Sequence, residues 1–190
     1  MSIVLVGSTS GSVTLQEPAI AGSTVLTLPA VSGTVLTTGS SGQSIPKAAL
    51  PTGSVLQVVQ GTTNTSTTIS GGPTDTTLTA TITPTSATSK ILIIVNQFVY
   101  LYGGGGDSGF ILNILRNGSN VFANSGQSLY VASSSGSPEL ITSYPITFLD
   151  SPATTSALTY KTQATANSGG TPVFQWSGNG STIQLLEIAA

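Results

Sequence analysis

Six carboxylic acids are the residues of this chain best suited to acid–base chemistry, because the sequence contains no histidine and no cysteine. They are scattered along it, at Glu17, Asp75, Asp107, Glu139, Asp150 and Glu187. A glycosidase needs two carboxyl groups flanking one bond, so two of these would have to meet in a cleft. Without imidazole or thiolate, the usual catalytic triads and soft-metal sites are excluded. We therefore predict no enzymatic activity, and a carbohydrate-active enzyme or lectin remains a remote alternative.

Three other features could bind a ligand, and each has a simpler interpretation. Residues 103–107, Gly-Gly-Gly-Gly-Asp, lack the Gly-Lys-Ser/Thr and the helix that hold a phosphate, so they are predicted to be a loop between two strands. Asp107 and Asp150 could contribute to a calcium site, but isolated aspartates on turns are ordinarily turn formers. Trp176 and the tyrosines could stack on sugars, but their place in strand-like runs favours core packing. We predict no metal and no cofactor.

Charge is scarce, with four basic and six acidic residues among 190. Charged residues make up 5% of the chain, against about 25% in a typical domain. A net charge of -2 leaves no basic patch to hold nucleic acid or an acidic membrane, so neither is an expected partner. The most apolar run, residues 91–102, is shorter than the roughly 20 residues that cross a bilayer. The run at 3–6 is too short for a signal peptide, so synthesis in the cytoplasm is expected.

Two regions of the chain differ in their content of large side chains. All the aromatic residues lie between Phe98 and Trp176, so residues 53–190 are predicted to form the folded domain. Residues 1–52 have too few large side chains to build a core of their own. We predict that they form an extended arm that ends in a Gly/Ser-rich hinge.

The arm contains a repeat of 11 residues. Its glycines recur at 11, 22 and 33, and its prolines at 18 and 29. Each unit is a short β-prone run closed by proline and reopened by glycine, which predicts repeated strand and turn. So few units cannot bury their apolar side chains alone, so we expect them to contact neighbouring subunits, although a flexible linker remains an alternative. The predicted contact residues are Val13, Leu15, Ile20, Val25, Leu26, Leu28, Val31, Val35 and Leu36.

The second region is predicted to be an antiparallel β-sandwich, most simply a jelly roll. Residues 76–83 alternate threonine with apolar residues, the pattern of a strand with one buried face. Asn-Gly pairs at 117–118 and 179–180 predict tight hairpin turns. The remaining strands are predicted at 90–102, 110–116, 129–132, 140–149, 157–163, 172–176 and 182–188. Such a series of short strands is typical of a sandwich.

The strand at 90–102 is almost continuously apolar, as expected when both faces are covered. A single sandwich covers only one face, so a second subunit is predicted to cover the other. The residues predicted to line a trimer interface are Ile91, Ile93, Val95, Val99, Leu185 and Ile188.

Several of these segments, taken in order, resemble a domain of tailed-bacteriophage virion proteins, particularly those of cyanobacterial and other aquatic hosts. The segments are Gly-Ser-Val-Leu-Gln-Val-Val-Gln at 53–60, Thr-Ser-Lys-Ile-Leu-Ile at 88–93, Ile-Leu-Arg-Asn-Gly at 114–118, the run at 148–161 and Ser-Thr-Ile-Gln-Leu-Leu-Glu-Ile at 181–188. The 11-residue repeat is similar to segments of phage fibre proteins. The resemblance implies a homotrimeric, jelly-roll-like, non-enzymatic domain and carries over no catalytic or ligand residue.

The expected function is capsid decoration. A cement protein of this kind would trimerise, bind the phage major capsid protein on the outside of the head and stabilise the shell. The alternative is a short tail fibre or fibre tip, attached to tail or baseplate proteins, whose loops at 103–109 and 133–138 contact host glycans. Both alternatives place the protein in the virion, after synthesis in the bacterial cytoplasm.

Overall fold

The computed structural model describes residues 3–6, 9, 12–15, 50–103, 106–133, 136, 139–167 and 169–190. The chain divides into two compact units, Met1–Ser44 and Ile45–Ala190. In the first unit, β1 (Ile3–Val6) and β2 (Ser12–Leu15) pair as an antiparallel hairpin in which Val6 lies opposite Ser12. The predicted boundary near residue 52 stays a prediction.

The second unit is an antiparallel β-sandwich, which confirms the predicted fold class. Its strands are β3 (Val55–Thr63), β4 (Thr67–Thr68), β5 (Thr74–Ile82), β6 (Lys90–Tyr102), β7 (Ser108–Arg116), β8 (Ser119–Phe122), β9 (Leu129–Val131), β10 (Glu139–Asp150), β11 (Leu158–Asn167), β12 (Val173–Phe174) and β13 (Ser181–Ile188). A 3-10 turn, Trp176–Gly178, separates the last two. The strands predicted within residues 76–188 all form, with shifted ends.

Strand β6 organises the larger, six-stranded sheet. On one side it pairs with β13 along its first half and with β12 near Tyr100, and these two strands continue to β3 and β4. On its other side it pairs with β10 along twelve residues, from Asp150 opposite Ile91 to Glu139 opposite Tyr102. The five-stranded sheet has the order β5-β11-β7-β8, with β9 also paired to β7. A central strand of thirteen residues therefore fixes the length of the sandwich.

The core lies between the two sheets. Phe110 of the smaller sheet meets Phe174 of the larger sheet edge to face, with ring centroids 5.1 Å apart. Tyr160 is fully buried, and its hydroxyl donates to Asp150 over 2.7 Å. Aromatic and branched side chains of this kind are the main source of stability in a sandwich interior.

Two glycines have positions that a larger residue would disturb. A Cβ atom on Gly61 would lie 2.0 Å from the carbonyl oxygen of Thr79, so glycine allows β3 and β5 to approach each other. Asn117 and Gly118 both have positive φ, 49° and 88°, and they form the predicted tight turn between β7 and β8. The prediction of a second hairpin at 179–180 is wrong. Asn179 has φ of -67° and caps the 3-10 turn instead.

The segment before β3 and the segment after β13 lie side by side. The amide of Gly53 donates to the carbonyl of Ala189 over 2.8 Å, and the amide of Ala189 donates to Ser54 over 2.9 Å. Both contacts lie at the Lys90 end of β6, because Ile188 pairs with Lys90 and with Val55.

Candidate functional site: the outer face of the six-stranded sheet

The structure places most of the predicted trimer-interface residues inside the sandwich. Five of them are buried, with at most 1% of each side chain exposed: Ile91, Ile93, Val95, Val99 and Leu185. Ile188 alternates to the other face and is half-buried. The prediction that this strand contacts a partner stays untested, but such a contact would use the outer face of the sheet, because the buried side chains already pack against the second sheet.

The outer face carries an apolar row that crosses four strands. The strand register sets Val58, Leu186, Leu92 and Leu149 side by side, on β3, β13, β6 and β10. Val58 is 60% exposed and Leu149 is 47% exposed. Directly paired residues share one face of a sheet, so the row is continuous. We call these four residues the apolar row.

Other large apolar side chains extend this surface. Among the described residues, seven of the eight exposed large hydrophobic side chains belong to this sheet or to the turn beside it: Val55, Val58, Ile94, Tyr102, Ile141, Leu149 and Trp176. Exposed apolar residues concentrated on one face mark an interaction surface, whereas scattered ones do not.

Charges on this face lie at its two ends. Within the described part of the chain they are Lys90, at the start of β6, and Glu139, which pairs with Tyr102 at its end. The thirteen residues of β6 separate these ends by about 40 Å, at roughly 3.3 Å per residue. The surface between them is therefore uncharged.

An aromatic group occupies the Glu139 end. The rings of Tyr100 and Trp176 have centroids 4.7 Å apart and planes at 32°, and those of Tyr100 and Tyr102 are 6.3 Å apart at 20°. Partial burial and a hydrogen bond to Glu139 raise the pKa of Tyr100 above its ordinary value. Trp176 is 39% exposed and Tyr102 is 41% exposed. We call Tyr100, Tyr102 and Trp176 the aromatic group.

The prediction that Trp176 and the tyrosines pack in the core is therefore right for some and wrong for others. Tyr160 is buried, but Tyr102, Tyr130 and Trp176 are exposed. The alternation along β6 turns Tyr102 outward, and the turn after β12 carries Trp176 out of the strand.

The backbone on both sides of Trp176 is strained. Gln175 and Ser177, the residues on either side of it, both have left-handed conformations, with φ of 53° and 58°. That conformation costs a non-glycine residue on the order of 1 kcal/mol. Strain of this kind persists only where the surroundings fix it, and it concentrates at functional sites.

A buried polar network fixes the turn. With its amide oriented to satisfy its neighbours, Gln175 donates to the carbonyls of Thr76, over 3.0 Å, and Thr65, over 3.1 Å, and accepts from Ser181 over 2.7 Å. Gln97 joins the network from β6, and all its side chains are buried. Thr162 of the smaller sheet donates to Gln97 over 2.8 Å. A fully paired network of this kind is rigid, so the conformation of the Trp176 turn is tied to the core.

The described carboxylates are engaged in separate contacts. Asp150 accepts from Arg116 over 2.6 Å, and Asp75 accepts from Lys161 over 2.5 Å. Asp107 accepts from the amide of Ser133 over 2.8 Å and from the hydroxyl of Tyr130, and these hydrogen bonds lower the pKa of Asp107. Asp107 thereby joins the loop between β6 and β7 to the chain after β9.

Glu187 is the one carboxylate with no exposed surface among those described. It accepts from Gln57 over 2.6 Å and from the amide and hydroxyl of Thr85 over 2.7 and 2.8 Å. Burial alone would raise the pKa of Glu187, but the hydrogen bonds from Thr85 and its neighbours outweigh burial and lower it. The interaction fastens the segment before β6 to the end of β13. Beside it lies a cavity of about 370 Å³ lined by Leu50, Leu56, Thr85, Ser86, Thr88, Ser89, Ala189 and Ala190.

Among the described residues, no group of three acidic side chains is placed to hold a metal ion. Within the same part of the chain, no helix has the length and apolar character needed to cross a bilayer.

Two of the predicted arm contacts, Val13 and Leu15, lie on β2. The other seven fall outside the described residues: Ile20, Val25, Leu26, Leu28, Val31, Val35 and Leu36.

No protein-family model matches the chain, and no curated protein matches it. Similar solved structures include the VP2 subviral particle of infectious bursal disease virus, with 14% identity over 72% of this chain and 39% of that one, at a TM-score of 0.34. The structure of the Gt strain of that virus has 14% identity over 95% of this chain and 43% of that one, at a TM-score of 0.37. The chain thus spans less than half the length of either, and likenesses this low carry no inference about its role.

Proposed function

We propose that the protein is a non-enzymatic structural component of a phage virion that associates with itself through the outer face of the six-stranded sheet. The apolar row, Val58, Leu186, Leu92 and Leu149, is the observation that carries this proposal. It crosses the face near its Lys90 end, and a monomer would leave its exposed members, Val58 and Leu149, in water.

The size of the face suits a stable contact. The four strands have 9, 8, 13 and 12 residues, so at roughly 3.3 Å per residue and 4.8 Å between strands they cover about 670 Å². Stable interfaces bury about 800 Å² on each partner. Interface cores are also depleted of charge, as the middle of this face is. A trimer in which each copy uses this face would give β6 the second cover that its apolar sequence predicts.

The arm would add contacts over a longer range. Residues 16–52, which follow the β1–β2 hairpin, would span about 120 Å if fully extended, at roughly 3.3 Å each. Arms of that reach could cross from one capsomer to the next, and binding only the assembled shell would stabilise it by mass action. Capsid decoration is thus the preferred role, with the major capsid protein as partner and the capsid exterior as location.

Labelled virions test the location. A bulky tag on the C-terminus of the chain should appear over the heads of purified particles in electron micrographs. Particles that lack the protein should then lose infectivity sooner on heating or osmotic shock. Label confined to tails would replace decoration with the fibre alternative, and unlabelled particles would overturn the virion proposal.

The fibre alternative is favoured by one observation. The Glu139 end of the face, with its exposed aromatic group, adjoins the loop between β6 and β7. A fibre tip would direct this end towards the host surface, whereas a decoration protein has no need of an exposed tryptophan.

A further inference from the structure

We propose that the aromatic group and Glu139 form a binding site for a neutral carbohydrate. The proposal does not depend on whether the protein is on the head or the tail. It rests on how the rings are displayed, on how firmly they are held and on the charges around them.

The rings are displayed on a surface rather than packed in a core. Tyr100 and Tyr102 are two residues apart on β6, so they point to the same face. Trp176 approaches Tyr100 from the neighbouring turn, and the three rings form a row with interplanar angles of 32° and 20°. Trp176 and Tyr102, at the two ends of the row, are the exposed members.

The display is fixed in advance of binding. Gln175 and Ser177 have φ of 53° and 58°, and the buried amide of Gln175 is held from both sheets. An exposed tryptophan needs no such support for stability, because its side chain is partly in water in any case. A preordered ring does, however, bind with a smaller loss of conformational freedom.

The chemistry of the site selects the ligand. The face of an aromatic ring is electronegative and attracts polarised C–H groups such as those of a pyranose. Glu139 lies directly opposite Tyr102 on the neighbouring strand, so it places a carboxylate beside the rings, and carboxylates accept hydrogen bonds from sugar hydroxyls.

The charges argue against the other ligands that stack on aromatic rings. Nucleic acid needs basic residues beside the rings. Among the described basic residues, Lys90 lies at the opposite end of β6, while Arg116 and Lys161 are paired with Asp150 and Asp75. An ammonium ion is normally enclosed by ring faces, whereas these rings lie in a row. Anionic sugars would be repelled by Glu139.

The site is separate from the apolar row. Leu92 and Tyr100 are eight residues apart on the same strand, which is about 26 Å at roughly 3.3 Å per residue. Self-association and carbohydrate binding can therefore be removed independently.

Trp176 is the only tryptophan of the chain, so its fluorescence reports on this site alone. The probes are neutral oligosaccharides of glucose, galactose, mannose and N-acetylglucosamine, titrated into the full chain. At least one should change the emission with saturation. Tyr102→Ala and Glu139→Gln should each weaken that binding about tenfold, the loss expected when a central contact is removed.

The matched control is Val55→Ala, which removes an apolar side chain of comparable exposure, 49%, at the Lys90 end of the same sheet and should leave the affinity unchanged. Circular dichroism checks that each variant is folded. If no oligosaccharide in the series gives a saturating change, the proposal is overturned. It is also overturned if Tyr102→Ala and Val55→Ala weaken binding equally. An emission that responds only to protein concentration would overturn it too, since the aromatic group would then be a contact between proteins.

Discussion

The two outer faces of the sandwich differ sharply, although both belong to antiparallel sheets of one domain. The five-stranded sheet exposes Thr79, Thr81 and Thr159, and the hydroxyls of the last two lie 2.8 Å apart. The six-stranded sheet exposes valine, isoleucine, leucine and aromatic rings instead. In a chain with so little charge, threonine rather than lysine or glutamate makes a face compatible with water. The six-stranded face also exposes Thr62 and Thr147, so what sets it apart is the large apolar side chains beside them.

The largest expected effect separates the inner from the outer face of β6. Ile93→Lys would place a charge in the core, where Ile93 has no exposed surface, and should prevent folding. Ile94→Lys, one residue further on and 37% exposed, should fold. Circular dichroism and thermal unfolding measure both. A folded Ile93→Lys variant would contradict the assignment of the two faces.

A second effect tests whether the apolar face is an interface. Leu149→Lys adds a charge to the exposed end of the apolar row and should convert the assembled protein to monomers, as light scattering with size-exclusion chromatography would show. Thr81→Lys makes the same change on the hydroxyl-rich face and should leave the assembly intact. A wild-type protein that is monomeric at tens of micromolar would remove the basis for self-association.

The third effect depends on pH. Glu187 has a lower pKa in the folded protein than its ordinary value of 4.5, so the unfolded chain takes up its proton first. The contribution of Glu187 to the free energy of unfolding is complete above pH 4.5 and is lost as the pH falls through the pKa of Glu187 in the folded protein. Glu187→Gln should cost about 1–3 kcal/mol at neutral pH and flatten the acid dependence. Urea unfolding over a pH series measures both. If the stability of Glu187→Gln changed with pH in parallel with that of the wild-type protein, the prediction would be contradicted.

The smallest effect belongs to the hydroxyl-rich face. Asp75 pairs with Lys161 there, and its side chain is 47% exposed. Asp75→Asn should change the free energy of unfolding by less than about 1 kcal/mol, and salt should reduce the difference further, because exposed ion pairs are screened. A loss as large as that of Glu187→Gln would show that this pair is shielded from solvent in the assembled protein.

The sequence predicts the strands well and the faces of β6 poorly, for a physical reason. Strand β5 alternates threonine with apolar residues, so its buried face can be read directly. In β6 both sets of alternating residues are apolar over most of its length, so nothing in the pattern shows that Ile93 points inward and Ile94 outward. Only the pairing with β10 and β13 and the packing on the second sheet decide this.

The aromatic group was hidden for a related reason. Glycine or asparagine in a sequence usually indicates a left-handed backbone conformation, but in the turn around Trp176 the left-handed residues are Gln175 and Ser177. The side chain that holds it depends on Ser181 and Gln97, which are distant from one another in sequence. Long-range contacts of this kind leave no local signal.

The pairing of Gly53 with Ala189 has a mechanical consequence. It anchors both ends of the domain chain beside Lys90, while the aromatic group lies at the far end of the same strand. A pull between a ligand on the aromatic group and a tether at Gly53 would therefore run along β6. Its hydrogen bonds to β10 and β13 would be loaded in shear and would have to break together, so the domain is built to bear tension along this axis.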